Sequence, residues 1–462
     1  MGKLAALILA AGKSTRMKSA RSKVLHGLAG RPVLSYVIEA ARRCGADDVR
    51  VVIGPDQSDI KEYLRGTGVG YVVQRKALGT AHAVKAAANA FKGLSGDILI
   101  LCGDVPLMRA ESLKQFVSAV RAKRATLGVL SMTPPEPGSY GRIVRDLDGK
   151  MTRIVEAKEA TDKEMTIREV NSGILMAERS WLFNSLGKVR NDNAKSEYYI
   201  TDLVGIALKE GVGVIAHRCG PAWEFHGINT RVDLARAAEL MRERINEGLM
   251  LKGAGLIDYR HTYIDAGVRI GQDTTVLPFT FIQGQTRIGA GCTIENGVVL
   301  RNATIGNGVH VKAHSVIEDS IISDGAILGP FARVRPGSKV GKDARIGNFV
   351  ELKKCTMRSG AKANHLTYLG DAVVGANANI GCGTITCNYD GVAKHMTHIG
   401  DGAFIGSDVQ FVAPVRVGKG AVVGAGSTIT RDVPAGALAI TRTEQKIVRG
   451  YAEKKRKKRK YK

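Results

Sequence analysis

The chain reads as an α/β, Rossmann-like, doubly wound domain followed by a parallel β-helix of hexapeptide repeats, and three patterns carry that expectation. Strand-like and helix-like segments alternate through the first third of the chain. Small aliphatic residues return at every sixth position between Ile264 and Ile429. A helix-forming stretch from Arg231 to Leu251 joins the two regions.

Residues 4–10 are apolar and strand-like. Residues 33–44 make an amphipathic helix, opened by Pro32 and stopped by Gly45. A strand at 49–53, a helix at 58–64, a strand at 71–73 and an alanine-rich helix at 80–91 follow. A strand at 97–102, a helix at 110–123 and a strand at 126–132 complete the series. This βαβα order implies a mostly parallel sheet with ligands at the carboxyl ends of its strands.

In the second half, Ile264, Ile270, Val276, Ile282, Ile288, Ile294 and Leu300 keep the six-residue step. The count slips by one to Ile305 and again to Ile322, then runs through Leu328, Val334, Val340, Ile346 and Leu352. After an interruption it returns as Ile399, Ile405, Phe411, Val417, Val423 and Ile429. Six matches neither the 3.6 of a helix nor the alternation of an ordinary strand. It fits short parallel strands joined by tight turns, with one aliphatic side chain per strand facing inward and Gly where the backbone bends. Each coil of such a solenoid buries its face against its neighbours alone. The expected division is 1–229, a helical linker at 230–252, a β-helix at 253–445, and a basic, disordered tail at 446–462.

Composition narrows the class. The 462 residues are 44% hydrophobic and 24% charged, as in a soluble globular protein, and carry a formal charge of +25. That excess favours anionic partners such as phosphorylated substrates and nucleotides. Seven Cys are scattered without a C-x-x-C pair, which excludes a disulfide framework and a zinc site and points to a reducing cytoplasm. No apolar run approaches the ~18 residues of a membrane span, and the apolar stretch 4–11 is a buried strand rather than a signal peptide. Residues 454–462 hold eight Lys or Arg. That run is a solvated tail able to touch anionic lipid head groups; without interleaved aromatics it offers no specific nucleic-acid recognition.

Directly after the first strand stand Leu9-Ala10-Ala11-Gly12-Lys13-Ser14-Thr15-Arg16-Met17. Small residues there let backbone N–H groups approach a phosphate, and the cations neutralise it. The loop is neither G-x-G-x-x-G nor a Walker loop. Asp104 taken alone is an ordinary turn residue after a strand.

The order of residues resembles the nucleotidyltransferases that make sugar nucleotides, with L-A-A-G-x-G-T-R-M followed by P-K. Ser14 stands where that pattern has Gly, and Ser22 stands before Lys23 where it has Pro. Gln74 with Gly79-Thr80 matches the uracil-reading stretch, and Cys102-Gly103-Asp104-Val105-Pro106-Leu107 matches Y-G-D-x-P-L with Cys102 in place of Tyr. Tyr140-Gly141-Arg142, Glu156 and Asn171-Ser172-Gly173 match sugar-binding positions, and Gly227-Ile228-Asn229 the late metal-binding Asn. The resemblance implies that Leu9, Ala10, Ala11, Gly12, Lys23, Gln74, Gly79, Thr80, Gly141, Glu156, Asn171 and Asn229 bind UTP or the sugar nucleotide. Asp104 and Asn229 would hold one Mg²⁺, and Arg16 and Lys23 would stabilise phosphate charge.

In the second half, Lys362-Ala363-Asn364-His365-Leu366-Thr367-Tyr368-Leu369-Gly370-Asp371 and Gly383-Thr384-Ile385-Thr386-Cys387-Asn388-Tyr389-Asp390-Gly391 are long polar motifs inside the repeat. With the first-half motifs they resemble the bacterial bifunctional family of N-acetylglucosamine-1-phosphate uridyltransferase and glucosamine-1-phosphate N-acetyltransferase, over nearly the whole chain. The resemblance implies His365 as general base, oriented by Glu351, for attack of the glucosamine amine on acetyl-CoA. It assigns Arg335, Lys353, Tyr368, Asn379 and Lys394 to the sugar phosphate. Cys382, Asn388, Tyr389, Ser407, Ala425 and Arg442 go to acetyl-CoA, with Cys382 where the family has Ala. It also implies a left-handed solenoid, against the usual crossover hand, and a homotrimer. Two rivals stand beside this: a single-activity nucleotidyltransferase whose β-helix only oligomerises, and a non-catalytic two-domain scaffold.

Overall fold

Nine strands build the first sheet: β1 (Lys3–Leu9), β2 (Asp48–Ile53), β3 (Gly70–Val73), β4 (Gly96–Cys102), β5 (Leu127–Met132), β6 (Arg142–Arg145), β7 (Met151–Val155), β8 (Val170–Glu178) and β9 (Val214–Arg218). The computed structural model describes residues 2–193 and 196–459, which fall into two units, 1–242 and 243–462. The strand order is β9-β5-β8-β4-β1-β2-β3, with β6 joined to β8 and β7 to β6. All neighbours of β1 are parallel, whereas β8 runs antiparallel between β4 and β5. Along β1, Leu4, Ala6 and Ile8 enter one buried cluster while Ala5 and Leu7 enter another. A strand covered on both faces must be apolar at every position, which is why residues 4–10 lack polar alternation. Leu9 pairs with both Val52 and Cys102, so the loops after β1, β2 and β4 leave the sheet at one level.

Helices lie close to their expected bounds, at Val33–Arg43, Ser58–Leu64 and Ala110–Ala122. The alanine-rich segment differs. Its α-helix ends at Ala86, and a tight 3-10 turn at Ala88–Phe91 buries Phe91. The boundary between the units falls inside one helix, Arg231–Met250. Ala237 and Met241 are buried before it; Leu249, with Ile245 and Met250, belongs to the solenoid core after it.

The second unit is one 26-stranded sheet in which two- and three-residue strands pair in parallel with the third strand onward, save for two thirteen-residue strands, Arg345–Met357 and Lys362–Val374, that pair with each other. The six-residue step is the spacing of its inward side chains. Ile264, Val276, Ile282, Ile294, Leu300 and Val311 are all at most 3% exposed, and each fully buried aliphatic contributes about 1.5–3 kcal/mol. The slips mark coils one residue shorter. Thr275 pairs with Thr293, eighteen on, but Ile288 pairs with Ile305, seventeen on.

Two expectations are corrected here. The interruption after Leu352 is no break, because Met357, Ala363, Leu369, Val374 and Ile380 carry the core straight through it. The one true excursion lies at residues 388–396, where Val374 pairs with Ile399 across a coil of 25 residues. Glycine after the inward aliphatic is not there to bend. A Cβ on Gly271 would sit 2.6 Å from the Gly289 carbonyl carbon, so coil stacking leaves no room for one. The left-handed turn positions hold other glycines, such as Gly284, Gly291 and Gly297, together with residues such as Asp273, Phe279, His314, Phe331 and Phe349. His314, Phe331 and Phe349 stack in successive coils at 5.2 and 5.4 Å between ring centres.

The tail also differs from the disorder expected of it, since Tyr451–Arg459 is helical. Lys and Arg are good helix formers, and Glu453 in the first turn favours the positive helix end. Residues 460–462 of the basic run lie outside the described residues.

Candidate active sites

The loop after β1 turns on Ser14, whose φ of 57° is left-handed. That conformation costs a non-glycine residue roughly 1–2 kcal/mol, which accounts for the Gly expected there. Here the hydroxyl offsets the strain: Ser14 Oγ accepts a hydrogen bond from the Lys23 backbone N–H at 3.0 Å and donates to the Gly12 carbonyl at 3.4 Å. Loop and Lys23 are thereby tied together. Ser22 donates its backbone N–H to Asp59 at 3.1 Å, but its buried hydroxyl has no partner.

Four of the expected residues converge on one point. The Lys23 ammonium bonds the Asp104 carboxylate and, at 3.0 Å, the Asn229 amide oxygen. Arg16 donates to the same Asn229 oxygen at 2.9 Å. Asn229 is held in turn. The Ile228 N–H bonds the Asp104 carbonyl at 2.8 Å, and Asp233 accepts from the Asn229 and Thr230 N–H groups. Two hard oxygen donors thus face one cation, a donor set that suits Mg²⁺, which takes few protein ligands and keeps waters. Among the described residues no group of three or more His, Cys, Asp or Glu offers an alternative metal site.

Clefts open near this knot. One, of about 650 Å³, is lined by Gly12, Lys13, Ser14, Arg21, Gln57 and Arg75. Another, of about 660 Å³, is lined by Arg16, Tyr140, His226, Gly227, Asn229 and Arg236. Gln74 is buried, with its amide on the Gly79 carbonyl and beside His82 at 3.1 Å each. Gly79 must be glycine, because a Cβ would lie 2.5 Å from the Tyr198 carbonyl oxygen. Thr80 accepts from the Ile200 N–H at 3.0 Å.

Gly141, Glu156 and Asn171 also gather. Asn171 N–H bonds the Gly141 carbonyl at 2.8 Å, and a Cβ on Gly141 would meet the Glu156 carboxylate at 3.6 Å. Glu156 opens onto a third cleft of about 780 Å³ with Glu159, Asp192 and Asp202. Burial, aided by Glu159, Asp192 and Glu156, pushes the Asp202 carboxyl up to about 6. Cys102 is half-buried against the Gly173 carbonyl, and desolvation pushes its thiol up to about 12, which disfavours the reactive thiolate.

Arg142 departs from the expectation. It is 2% exposed and cannot reach a sugar; its guanidinium donates to the Tyr140 and Gly138 carbonyls from below.

In the solenoid, His365 is exposed on a strand edge with Nδ1 3.0 Å from the Asn348 amide oxygen. Glu351, expected to orient this ring, does not. Strand register pairs Asn348 with His365 and Glu351 with Tyr368, and Glu351 accepts from Arg335 at 2.8 Å. Sequence reasoning missed Asn348 because only the seventeen-residue coil length shows which residue lies above the histidine.

The excursion at 388–396 is anchored at its root by the buried Asn388 amide, which donates to Asp371 at 2.5 Å. Asp390 accepts from the Val392 and Ala393 N–H groups and from His395, which hold its carboxyl far below the usual range. The loop presents Tyr389, and its Lys394 lies against Lys353. The neighbouring Lys394 lowers the pKa of Lys353, as one cation close to another does. Arg335 and Tyr368 face the same side.

Along the other edge of these strands, Cys382, Ser407 and Ala425 follow His365 coil by coil. Leu366 carbonyl accepts from Gly383, Cys382 carbonyl from Asp408, and Ser407 carbonyl from Gly426. Arg442 lies over Gly424 and Gly426 beside Ala425. Asn379 is on the adjoining face, paired with Lys362 and Phe404.

Comparison with known proteins bears on both units. Residues 6–155 match the model of the MobA-like NTP transferase domain, residues 260–344 that of the GMPPB C-terminal domain, and residues 396–431 that of bacterial transferase hexapeptide repeats. The chain is 49% identical over 459 residues to the bifunctional protein GlmU of Pelobacter propionicus, covering 99% of this chain and all of that one. To GlmU of Geotalea uraniireducens it is 50% identical over 457 residues, with 99% and 100% covered. To that of Shouchella clausii it is 44% identical over 449 residues, with 97% and 98% covered.

Proposed function

The chain belongs to the bifunctional GlmU family, and from that premise we propose which side chains carry each of its two reactions. It is a bifunctional transferase of UDP-N-acetylglucosamine synthesis, a precursor of peptidoglycan and lipopolysaccharide. Acetyl passes from acetyl-CoA to glucosamine-1-phosphate, and uridylyl then passes from UTP to N-acetylglucosamine-1-phosphate, releasing pyrophosphate.

For uridyl transfer the attacking phosphate oxygen is already ionised, so alignment and charge neutralisation replace a general base. Asp104 and Asn229 would hold Mg²⁺, which neutralises phosphate charge when bound. Lys23 sits against both oxygens and Arg16 against that of Asn229, and the two cations act on the charge that builds at the α-phosphate. Leu9, Ala10, Ala11 and Gly12 approach the phosphates, Gln74, Gly79 and Thr80 read the uracil, and Gly141, Glu156 and Asn171 take the sugar. This assignment is carried by the meeting of Arg16, Lys23, Asp104 and Asn229 at one point.

For acetyl transfer, His365 is the base. With Nδ1–H donating to Asn348, the neutral ring keeps its free lone pair on Nε2, the form a base requires. The amine nitrogen bonds the thioester carbon, the C–S bond breaks, and the amine proton passes through His365 to the departing thiolate. Arg335, Lys353, Tyr368 and Lys394 bind the phosphate, and Cys382, Asn388, Tyr389, Ser407, Ala425 and Arg442 bind acetyl-CoA.

The His365 column and the Lys353–Lys394 pair lie on opposite edges of one strand face, with Asn379 around the corner. A homotrimer, in which a neighbour's edge completes the site, accounts for that separation. The exposed Phe279, Phe331, Phe349 and Leu366 at the turns supply apolar surface for it. The seven free thiols accord with a reducing cytoplasm, where the basic tail can touch anionic lipid. No helix among the described residues is long and apolar enough to cross a membrane.

Incubation with glucosamine-1-phosphate, acetyl-CoA, UTP and Mg²⁺, with product identification, tests the scheme. His365→Ala should abolish CoA release and still release pyrophosphate when given N-acetylglucosamine-1-phosphate. Wild-type CoA release by this variant would remove His365 from its role.

A further inference from the structure

A bulky cation sealed inside the sheet unit stands out beneath the uridyl-transfer site. Among the described residues Arg142 is the largest side chain buried to within 2% of complete. A buried charge is costly unless it is paired, yet no carboxylate among the described residues pairs with it. Its neighbour Arg145, by contrast, is clamped by both oxygens of Glu169 at 2.7 Å. Arg142 spends its guanidinium on backbone alone. One nitrogen donates to the Tyr140 carbonyl, another to the Gly138 carbonyl at 3.0 Å, and Nε has no partner. The segment it gathers supplies Ser139 and Tyr140 to the wall of the second cleft.

That wall leans on the metal-site loop. The Tyr140 ring stacks on His226 with centres 6.1 Å apart, and the Tyr140 oxygen faces the Gly227 backbone. Gly227 lies against the Asp104 carboxylate, and the next N–H, of Ile228, bonds the Asp104 carbonyl. Asn229 follows, with its oxygen shared by Arg16 and Lys23. An unbroken run of contacts therefore leads from the buried guanidinium to the two oxygens proposed to face the divalent cation.

We propose that Arg142 is a positioning residue for uridyl transfer, which fixes Tyr140 against His226 and Gly227 and so sets the distance between Asn229 and Asp104. It touches no substrate and acts only through the wall it braces. The assignment rests on the reading of Asp104 and Asn229 as the metal-facing pair.

The decisive variants are Arg142→Met, which keeps the bulk and removes the donors, and Arg142→Lys, which keeps the charge but loses the planar fork that spans the two carbonyls. In the full chain without metal or substrate, Arg142→Met should speed hydrogen–deuterium exchange in residues 134–141 and also in residues 222–230. Its half-saturating Mg²⁺ in uridyl transfer should rise roughly tenfold, the effect of one misplaced ligand contact, and Arg142→Lys should fall between. CoA release by the same preparation should stay unchanged. Tyr140→Phe, which removes only the oxygen, should reproduce the exchange at 222–230, and the double variant should be no worse than Arg142→Met. If Arg142→Met instead loses the unfolding transition of the sheet unit, Tyr140→Phe decides the matter alone. Unchanged exchange at 222–230 in the folded variants, or a wild-type Mg²⁺ dependence, would overturn the proposal. Loss of the underlying reading looks different: Asp104→Asn would then keep its uridyl transfer.

Discussion

Replacing Asp104 by Asn keeps the side chain's size and removes its charge at the point where Lys23, Arg16 and Asn229 meet. Both Lys23 and Asp104 side chains are 18% exposed, so their contact is screened less than a surface pair and more than a core one. A charge-assisted hydrogen bond of this kind contributes about 2 kcal/mol, and its neutral counterpart about half that. Asn can still accept from Lys23, so the stability loss is about 1 kcal/mol, or roughly 2–4 °C in the unfolding of a unit this size. With several kcal/mol of stability in hand, that loss leaves the folded population intact. Uridyl transfer should nevertheless fall by about 10²–10³, the usual effect of removing one preorganised group that meets developing charge. The two magnitudes separate catalysis from folding. Pyrophosphate release and CoA release measured on one preparation, beside its calorimetric trace, make the check. Uridyl transfer within about threefold of wild type, or a parallel fall in CoA release, would refute the assignment of Asp104.

Other outcomes follow from the same geometry. Lys353→Ala and Lys394→Ala should each raise the KM for glucosamine-1-phosphate about tenfold while the KM for acetyl-CoA holds, because each removes one cation from the phosphate pair. Asp202 carries a folded pKa of about 6, above its ordinary 3.8. The folded chain therefore keeps a proton that the unfolded chain loses between pH 4 and 6, and stability falls as pH rises through that window. Asp202→Asn should stabilise the sheet unit at pH 7.5 by about 1–2 kcal/mol after allowance for solvent, with no gain at pH 3.5; thermal melts at both values read this. Ser14→Ala keeps the left-handed strain and loses the bond from Lys23 N–H, costing about 1 kcal/mol, whereas Ser14→Gly exchanges one for the other and should be nearly neutral, as denaturant midpoints would register. Deleting residues 454–462 should spare both activities and weaken co-sedimentation with phosphatidylserine vesicles in low salt.

Much of the fold was visible in the residues because its signals are local. Ile264 to Leu300 announce a solenoid without any knowledge of neighbours, and Leu4 to Leu9 announce a doubly covered strand by lacking alternation. The coils between Leu352 and Ile399 were hidden by their five-residue steps to Met357 and Val374, each the signature of a turn one residue short. The first site was legible as a set, since Arg16, Lys23, Asp104 and Asn229 do meet. What stayed hidden depends on contacts across distance. Asn348 rather than Glu351 stands over His365 by register, and Arg142 turns away from the cleft because its strand pairs with Val170. The charge of the tail says nothing against a helix, and Tyr451–Arg459 forms one.

Because every coil of the solenoid bonds only to the coils above and below, height and chemistry are separable in it. The proposed acetyl-transfer residues begin at Arg335, while the courses from Ile264 to Leu328 carry none of them and act as plain masonry. Excising the eighteen residues from Thr275 to Cys292 would remove one full course and leave Thr293 where Thr275 had been, in the same phase. The column would be shorter by a single strand spacing, about 4.8 Å, with the working storeys untouched. Length in this half of the molecule is a quantity that lineages can change in whole steps.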